Sequence, residues 1–107
     1  KNKLSGYTID DEETLKTIKR VEKDYGYVLD PHGAVAFVAL EKYLTENDGK
    51  GFFLETAHPV KFPDSVEQAT GKSVEIPKSL EELMKQEKFT TEINPQYEEL
   101  KEFLLKK

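Results

Sequence analysis

The sequence contains no cysteine and only one methionine, Met84. Without thiols, neither a disulfide framework nor a thiolate metal site can form. No long uncharged apolar run occurs, which excludes a membrane-spanning helix and a signal peptide and makes the cytoplasm the default address. Basic charge is not in excess either. The 16 Lys and Arg are outnumbered by 21 Asp and Glu, mixed along the chain to a formal net charge of -5. There is thus no basic stripe to neutralise a phosphate backbone, and nucleic acid is not an expected partner. Six dispersed glycines include no phosphate-cradling loop, since Gly49-Lys50-Gly51 matches no such spacing.

What is present fits one domain or a piece of one. In 107 residues the apolar set makes up 36% and the charged set 35%, against roughly 25% charged in an average domain, so the core is small and the surface highly charged. The chain opens at Lys1, so it has either lost an initiator or been cut from something longer. No repeat, low-complexity tract or linker long enough to divide domains is visible.

From Ile9 to Gly26, Leu15, Ile18, Val21 and Tyr25 recur at helical spacing, with charged residues on other faces. Asp10, with Glu13 three residues on, forms the acidic relative of a capping box, and Gly26 stands where a left-handed C-cap is wanted. Asp30-Pro31 repeats a start signal, because Asp caps well and the first helical position needs no N–H. The helix that follows carries the unbroken apolar run Ala34 to Leu40. A helix apolar on all sides is a buried helix. A chain this short has few elements to cover it, so the missing cover is expected from another polypeptide or an absent part of the same one.

Asn47-Asp48-Gly49 signals a turn, and Gly51 to Glu55 behind it reads as a short strand buried on both faces. Tyr27 to Leu29 and Val74 to Ile76 are the only other strand-like stretches. Pro63 to Thr70 is expected to be helical and to end at Gly71; Ser79-Leu80-Glu81-Glu82 has the capping-box pattern of a helix through about Glu87; Asn94-Pro95 opens a last helix striped by Tyr97, Leu100 and Leu104. The expected fold class is helix-rich α/β, with several helices around one short central strand.

Few residues carry chemistry. His32 and His58 are the only imidazoles, each beside a proline at an element junction, where open α/β folds gather ligands. Either they meet a ligand or each bonds a nearby carbonyl and fixes its loop. A metal site would need a third and fourth ligand, and two His with scattered carboxylates are a weak signal for one. Thr56, at the end of the expected strand, either projects its hydroxyl into a cleft or bonds its own turn. Nothing shows a nucleophile elbow or triad spacing, and pairs such as Glu12-Glu13 and Glu98-Glu99 lie on solvated helix faces.

Asp30-Pro31-His32-Gly33-Ala34-Val35-Ala36 and Phe53-Leu54-Glu55-Thr56-Ala57-His58-Pro59-Val60-Lys61-Phe62-Pro63 closely resemble the C-terminal part of threonine synthase, and the segments around Asp10 to Thr14 and Val66 to Pro77 fit the same family in order and spacing. The resemblance covers most of this chain but only about the last quarter of the usual enzyme. It implies a C-terminal piece of a tryptophan-synthase-like, pyridoxal-phosphate-dependent fold whose parent converts O-phospho-L-homoserine and water to L-threonine and phosphate. By similarity, Thr56 is the hydroxyl near the cofactor's pyridine nitrogen, His58 and Lys61 line or support the same pocket, and Asp30 and His32 sit near it. Gly33 stands where many relatives carry Thr. The family's cofactor-bearing lysine and glycine-rich phosphate loop match no residue here. The implied partner is therefore the remainder of the same enzyme chain, and this chain alone is expected to be inactive. A different expectation is a stand-alone, non-catalytic binding or interaction module of shared ancestry.

Overall fold

The computed structural model describes residues 4–106. These residues fall into two compact units, the first ending at Ile76 and the second beginning at Pro77. The first contains α1 (Asp11–Tyr25), α2 (Pro31–Glu46), a single 3₁₀ turn (Pro59–Lys61) and α3 (Pro63–Thr70).

The ends of these helices follow from local chemistry. Asp10 accepts the Glu13 N–H at 2.8 Å and Gly26 closes α1 at φ 68°. That left-handed conformation, adopted again by Gly71 after α3 at φ 72°, is one that glycine reaches without a Cβ penalty. Asp30 caps α2 and Pro31 begins it. All three helices start and stop where the sequence signals place them.

α1 packs against both α2 and α3. The core is small: Ile18, Val21, Leu29, Ala34 and Ala69 are buried together, with Leu15, Phe37 and Phe53 packed on them. The expected stripe of α1 requires one correction. Tyr25 is exposed, and Thr14 and Thr17 are buried in its stead. Their hydroxyls donate to the carbonyls of Asp10 at 2.7 Å and Glu13 at 2.8 Å, so threonine enters the interface with its polar atom already satisfied. Arg20 of α1 forks onto Glu41 of α2 at 3.0 and 2.5 Å, with its guanidinium carbon 5.3 Å from the Phe37 ring centre.

The expected all-round burial of α2 is only partly met. Gly33, Ala34 and Val38 are buried, and the rest of the apolar run is half-buried.

The expected central strand is absent. Among the described residues there is no strand, and 27–29, 51–55 and 74–76 all lack a ladder. A strand exists only by pairing its backbone groups with a neighbour, and these segments find none. Residues 51–55 keep a strand's alternation nonetheless. Phe52 and Leu54 are 85% and 67% exposed, whereas Phe53 and Glu55 turn inward.

The inward-facing residues line up on α2. A Cβ on Gly51 would lie 2.4 Å from Leu40 Cδ1, the Phe53 and Phe37 rings meet edge to face at 5.5 Å, and the Glu55 carboxyl lies against Gly33. The partners 40, 37 and 33 descend as 51, 53 and 55 ascend, so the segment runs antiparallel along the helix. Two residues of extended chain rise about 6.7 Å and one helical turn about 5.4 Å, so every second side chain meets roughly the next turn.

The second unit contains α4 (Lys78–Met84) and α5 (Tyr97–Leu105) and buries no residue fully. Both of its start signals are displaced. α4 begins before Ser79 with no side-chain cap and ends at Met84 rather than Glu87, because a serine already inside the first turn cannot cap it. α5 starts two residues beyond Asn94-Pro95, since Asn94 spends its backbone N–H and its side-chain amide on the Glu99 carboxylate, at 3.0 and 2.9 Å. The stripe Tyr97, Leu100 and Leu104 is exposed. Among the described residues no helix is long and apolar enough to cross a membrane.

Candidate functional site

The site gathers where α2 begins. Asp30 is fully buried, and both of its oxygens are occupied: Oδ1 accepts the Gly33 N–H at 2.9 Å, and Oδ2 accepts the His32 N–H at 3.3 Å and faces His32 Nδ1 at 2.8 Å. An ionised carboxylate here requires the proton on Nδ1, which leaves His32 Nε2 as the outward-presented nitrogen. The imidazole is 60% exposed and rests on Phe62, with ring centroids 5.0 Å apart and planes tilted by 58°.

Glu55 completes the cluster from the extended segment. Its Oε1 accepts the Asp30 N–H at 3.2 Å. Its Oε2 is buried and receives no hydrogen bond from the described residues. The carboxyl fills the hollow above Gly33, where a Cβ would stand only 2.3 Å from Oε2.

Two carboxyl groups in this arrangement do not both ionise freely. Burial, then a hydrogen bond to the Asp30 carboxylate and repulsion from it, push Glu55 up to about 7; the Asp30 N–H opposes the rise. For Asp30, burial acts upward but is outweighed by the hydrogen bonds from Glu55, Gly33 and His32, which hold it below its usual value. The asymmetry has a plain cause: Asp30 receives donors on both oxygens, and Glu55 does not. Of the two, Glu55 is therefore the one that takes up a proton first as pH falls.

The other expected site residues sit nearby in sequence but are not bonded into this cluster. Thr56 follows Glu55, is exposed, and its hydroxyl has no hydrogen-bond partner among the described residues, so it does not bond its own turn. His58 is exposed and caps the 3₁₀ turn, its Nδ1 accepting the Val60 N–H at 3.2 Å. The expected bond is to a nearby carbonyl; His58 instead fixes its loop by accepting an amide N–H. Lys61 ends that turn with an exposed side chain, next to the Phe62 that supports His32.

Sequence reasoning missed Glu55 and Phe62. A signal for Glu55 was present: one carboxylate at the end of a run of apolar residues, in step with Phe53 at a spacing of two. Phe62 carried no such signal. Among the described residues no group of three or more His, Asp or Glu is placed to hold a metal ion.

Comparison with known proteins gives this geometry its setting. Residues 33–104 match the family model for threonine synthase, C-terminal. The threonine synthase of Buchnera aphidicola subsp. Schizaphis graminum is 42% identical over 95 residues, covering 89% of this chain and 21% of the relative. That of Escherichia coli strain K12 is 46% identical over 78 residues, covering 72% and 18%. A crystal structure of pyridoxal-phosphate-bound threonine synthase from Brucella melitensis superposes with a TM-score of 0.63 at 33% identity, over 88% of this chain and 20% of that one. The chain thus spans about a fifth of the length of the relatives it matches. By the family model, which covers more than half of its residues, this chain belongs to the threonine synthase C-terminal family.

Proposed function

We propose that residues 1–107 form the C-terminal domain of a longer, cytoplasmic threonine synthase that converts O-phospho-L-homoserine and water to L-threonine and phosphate with pyridoxal phosphate. The observation that carries this reading is Thr56, an exposed hydroxyl without a hydrogen-bond partner among the described residues, on the open face of a segment clamped to α2 through Glu55. A neutral hydroxyl of that kind can donate to an unprotonated ring nitrogen, so the residues present fit the cofactor on this side.

When bound, the cofactor supplies the electron sink for elimination and replacement at the substrate's β and γ carbons. Thr56 would donate its hydroxyl to the pyridine nitrogen without forcing a proton onto it, as an aspartate would, and so would moderate that sink. Asp30 holds His32 by Nδ1 and leaves Nε2 outward as a proton-transfer or hydrogen-bonding group. His58 caps the 3₁₀ turn that ends in the exposed Lys61, a cation suited to an anionic substrate. The remainder of the enzyme supplies the lysine that carries the cofactor and the loop that binds its phosphate, so the 107-residue chain by itself is inactive. The exposed Phe52 and Leu54, on the same face as Thr56, are covered by that remainder. Family membership lends no support to a stand-alone, non-catalytic module.

The test is an assay of the longer polypeptide that carries this chain, supplied with pyridoxal phosphate and O-phospho-L-homoserine. Equimolar release of phosphate and threonine is expected, with none from the 107-residue chain alone. Absence of turnover in the longer polypeptide overturns the reading.

A further inference from the structure

We infer that Glu55 is a positioning residue for Thr56, a clamp that fixes the hydroxyl in place through the Asp30 backbone and the hollow at Gly33. The inference rests on the proposed role of Thr56 and extends it to a residue with no assigned function.

Consider what holds Thr56. Among the described residues, no backbone-to-backbone hydrogen bond ties 50–57 to the rest of the first unit. A strand in a sheet is held at each residue by its ladder, but this segment has only its inward-facing side chains. Gly51 rests on Leu40 and Phe53 on Phe37, both apolar contacts that tolerate sliding. Glu55 alone makes a directional bond, from Oε1 to the Asp30 N–H, and it lies immediately before Thr56.

The seat is also shaped for it. Any side chain at position 33 would meet the carboxyl within 2.6 Å, so the glycine is the condition for Glu55 to lie down on the helix. Its second oxygen is buried and receives no donor from the described residues, whereas the Asp30 carboxylate is already loaded by Gly33 and His32. A proton on Glu55 removes the repulsion between the two carboxyl groups and lets Glu55 donate to Asp30. With its proton on, the clamp is a neutral carboxyl group on a charged one, and glutamine is the closest mimic of that form. By this chain of contacts the orientation of Thr56 is tied to the same Asp30 that orients His32.

The experiment uses the full-length holoenzyme and reads the bound cofactor, not turnover. Glu55→Ala, Glu55→Gln, Thr56→Val and the double variant Glu55→Ala/Thr56→Val are compared for pyridoxal phosphate dissociation constant and for the absorption maximum of the bound cofactor across pH 5.5 to 8.5. Far-ultraviolet circular dichroism of each confirms the fold. Glu55→Ala is expected to weaken cofactor binding about ten-fold, the scale of one displaced hydrogen bond, and to shift the band as Thr56→Val does. Glu55→Gln is expected to hold affinity within about three-fold, and the double variant to bind no more weakly than Thr56→Val alone. If Thr56→Val changes the band and Glu55→Ala does not, or if the two losses simply add, the clamp is wrong and the role of Thr56 stands. If Thr56→Val itself changes neither quantity, both fall together.

Discussion

Glu55 and Asp30 meet across the start of α2 as an unequal pair. Asp30 receives donors on both carboxylate oxygens and gives its own backbone N–H to Glu55 Oε1 at 3.2 Å, and the other Glu55 oxygen is buried without a donor. This inequality sets the sign of the pH dependence. Glu55, raised from its ordinary 4.5 to about 7, binds its proton more tightly in the folded than in the unfolded chain. Its contribution is complete below about pH 4.5 and is lost as pH rises through 7. Asp30, held below 3.8, contributes the opposite limb, present above that value and lost as pH falls beneath it. Urea unfolding from pH 3 to 8 should show stability from this pair greatest near pH 4 to 5, falling by on the order of 1–2 kcal/mol toward pH 7.5. Glu55→Gln should flatten the upper limb and leave the lower one. An unchanged upper limb in that variant would refute the assignment of the proton to Glu55.

Gly33→Ala separates stability from clamping. The new Cβ would stand 2.3 Å from Glu55 Oε2, but the obstacle is the end of a flexible side chain, which can swing away. Losing the Glu55 bond costs about 1 kcal/mol and the better helix former returns about 1 kcal/mol, so the unfolding free energy should move by less than about 1 kcal/mol. The upper pH limb should vanish as it does in Glu55→Gln. A loss of more than about 3 kcal/mol would mean that the backbone, not the carboxyl, had to yield.

The two aspartate caps should differ in weight. Asp10 is exposed and satisfies one amide, that of Glu13, so Asp10→Ala should cost about 1 kcal/mol. Asp30 is fully buried and serves the Gly33 and His32 amides and the His32 ring, so Asp30→Ala should cost about 2–3 kcal/mol. Chemical denaturation of both variants at pH 6 checks the ordering. Equal losses would show that burial adds nothing to the cap.

The Arg20 fork tests geometry against charge. Arg20→Lys retains the cation but gives up the paired bonds to Glu41 and the stacking on Phe37, and should cost about 0.5–1 kcal/mol at low salt, less at high salt. A loss that does not shrink between 0.05 and 1 M NaCl would assign the effect to packing alone.

In the core, Ile18 is fully buried and Leu104 is exposed. Ile18→Ala should cost about 2–4 kcal/mol and Leu104→Ala less than about 0.5 kcal/mol in thermal unfolding of the 107-residue chain. Similar costs for the two would contradict the placement of the core between α1, α2 and α3.

Much of the helical frame could be read directly from the chain. Asp10, Gly26, Asp30, Pro31, Pro63 and Gly71 act within one turn of themselves, by capping an amide, presetting φ or adopting a left-handed conformation, and each stands where its signal put it. The same local logic failed at Ser79 and Asn94, in a unit with no buried residue to hold a helix start in register. The apolar run 51–55 was legible as a segment of period two, but not as one lying on a helix instead of in a sheet. Period two states only that alternate side chains share a face, and says nothing of what that face meets.

The sequence by itself therefore determined the three helices of the first unit and their ends, the lack of thiol chemistry and the family resemblance, because all of these depend on residues near one another in the chain or on the order of short motifs. Only the tertiary structure decided that Glu55 lies on Gly33, that it bonds Asp30 from 25 positions away, and that Phe62 supports His32. Those contacts arise from how an extended segment and a 3₁₀ turn pack back onto α2. A carboxyl group's protonation depends on its burial and on the charge beside it, and no residue carries either property alone.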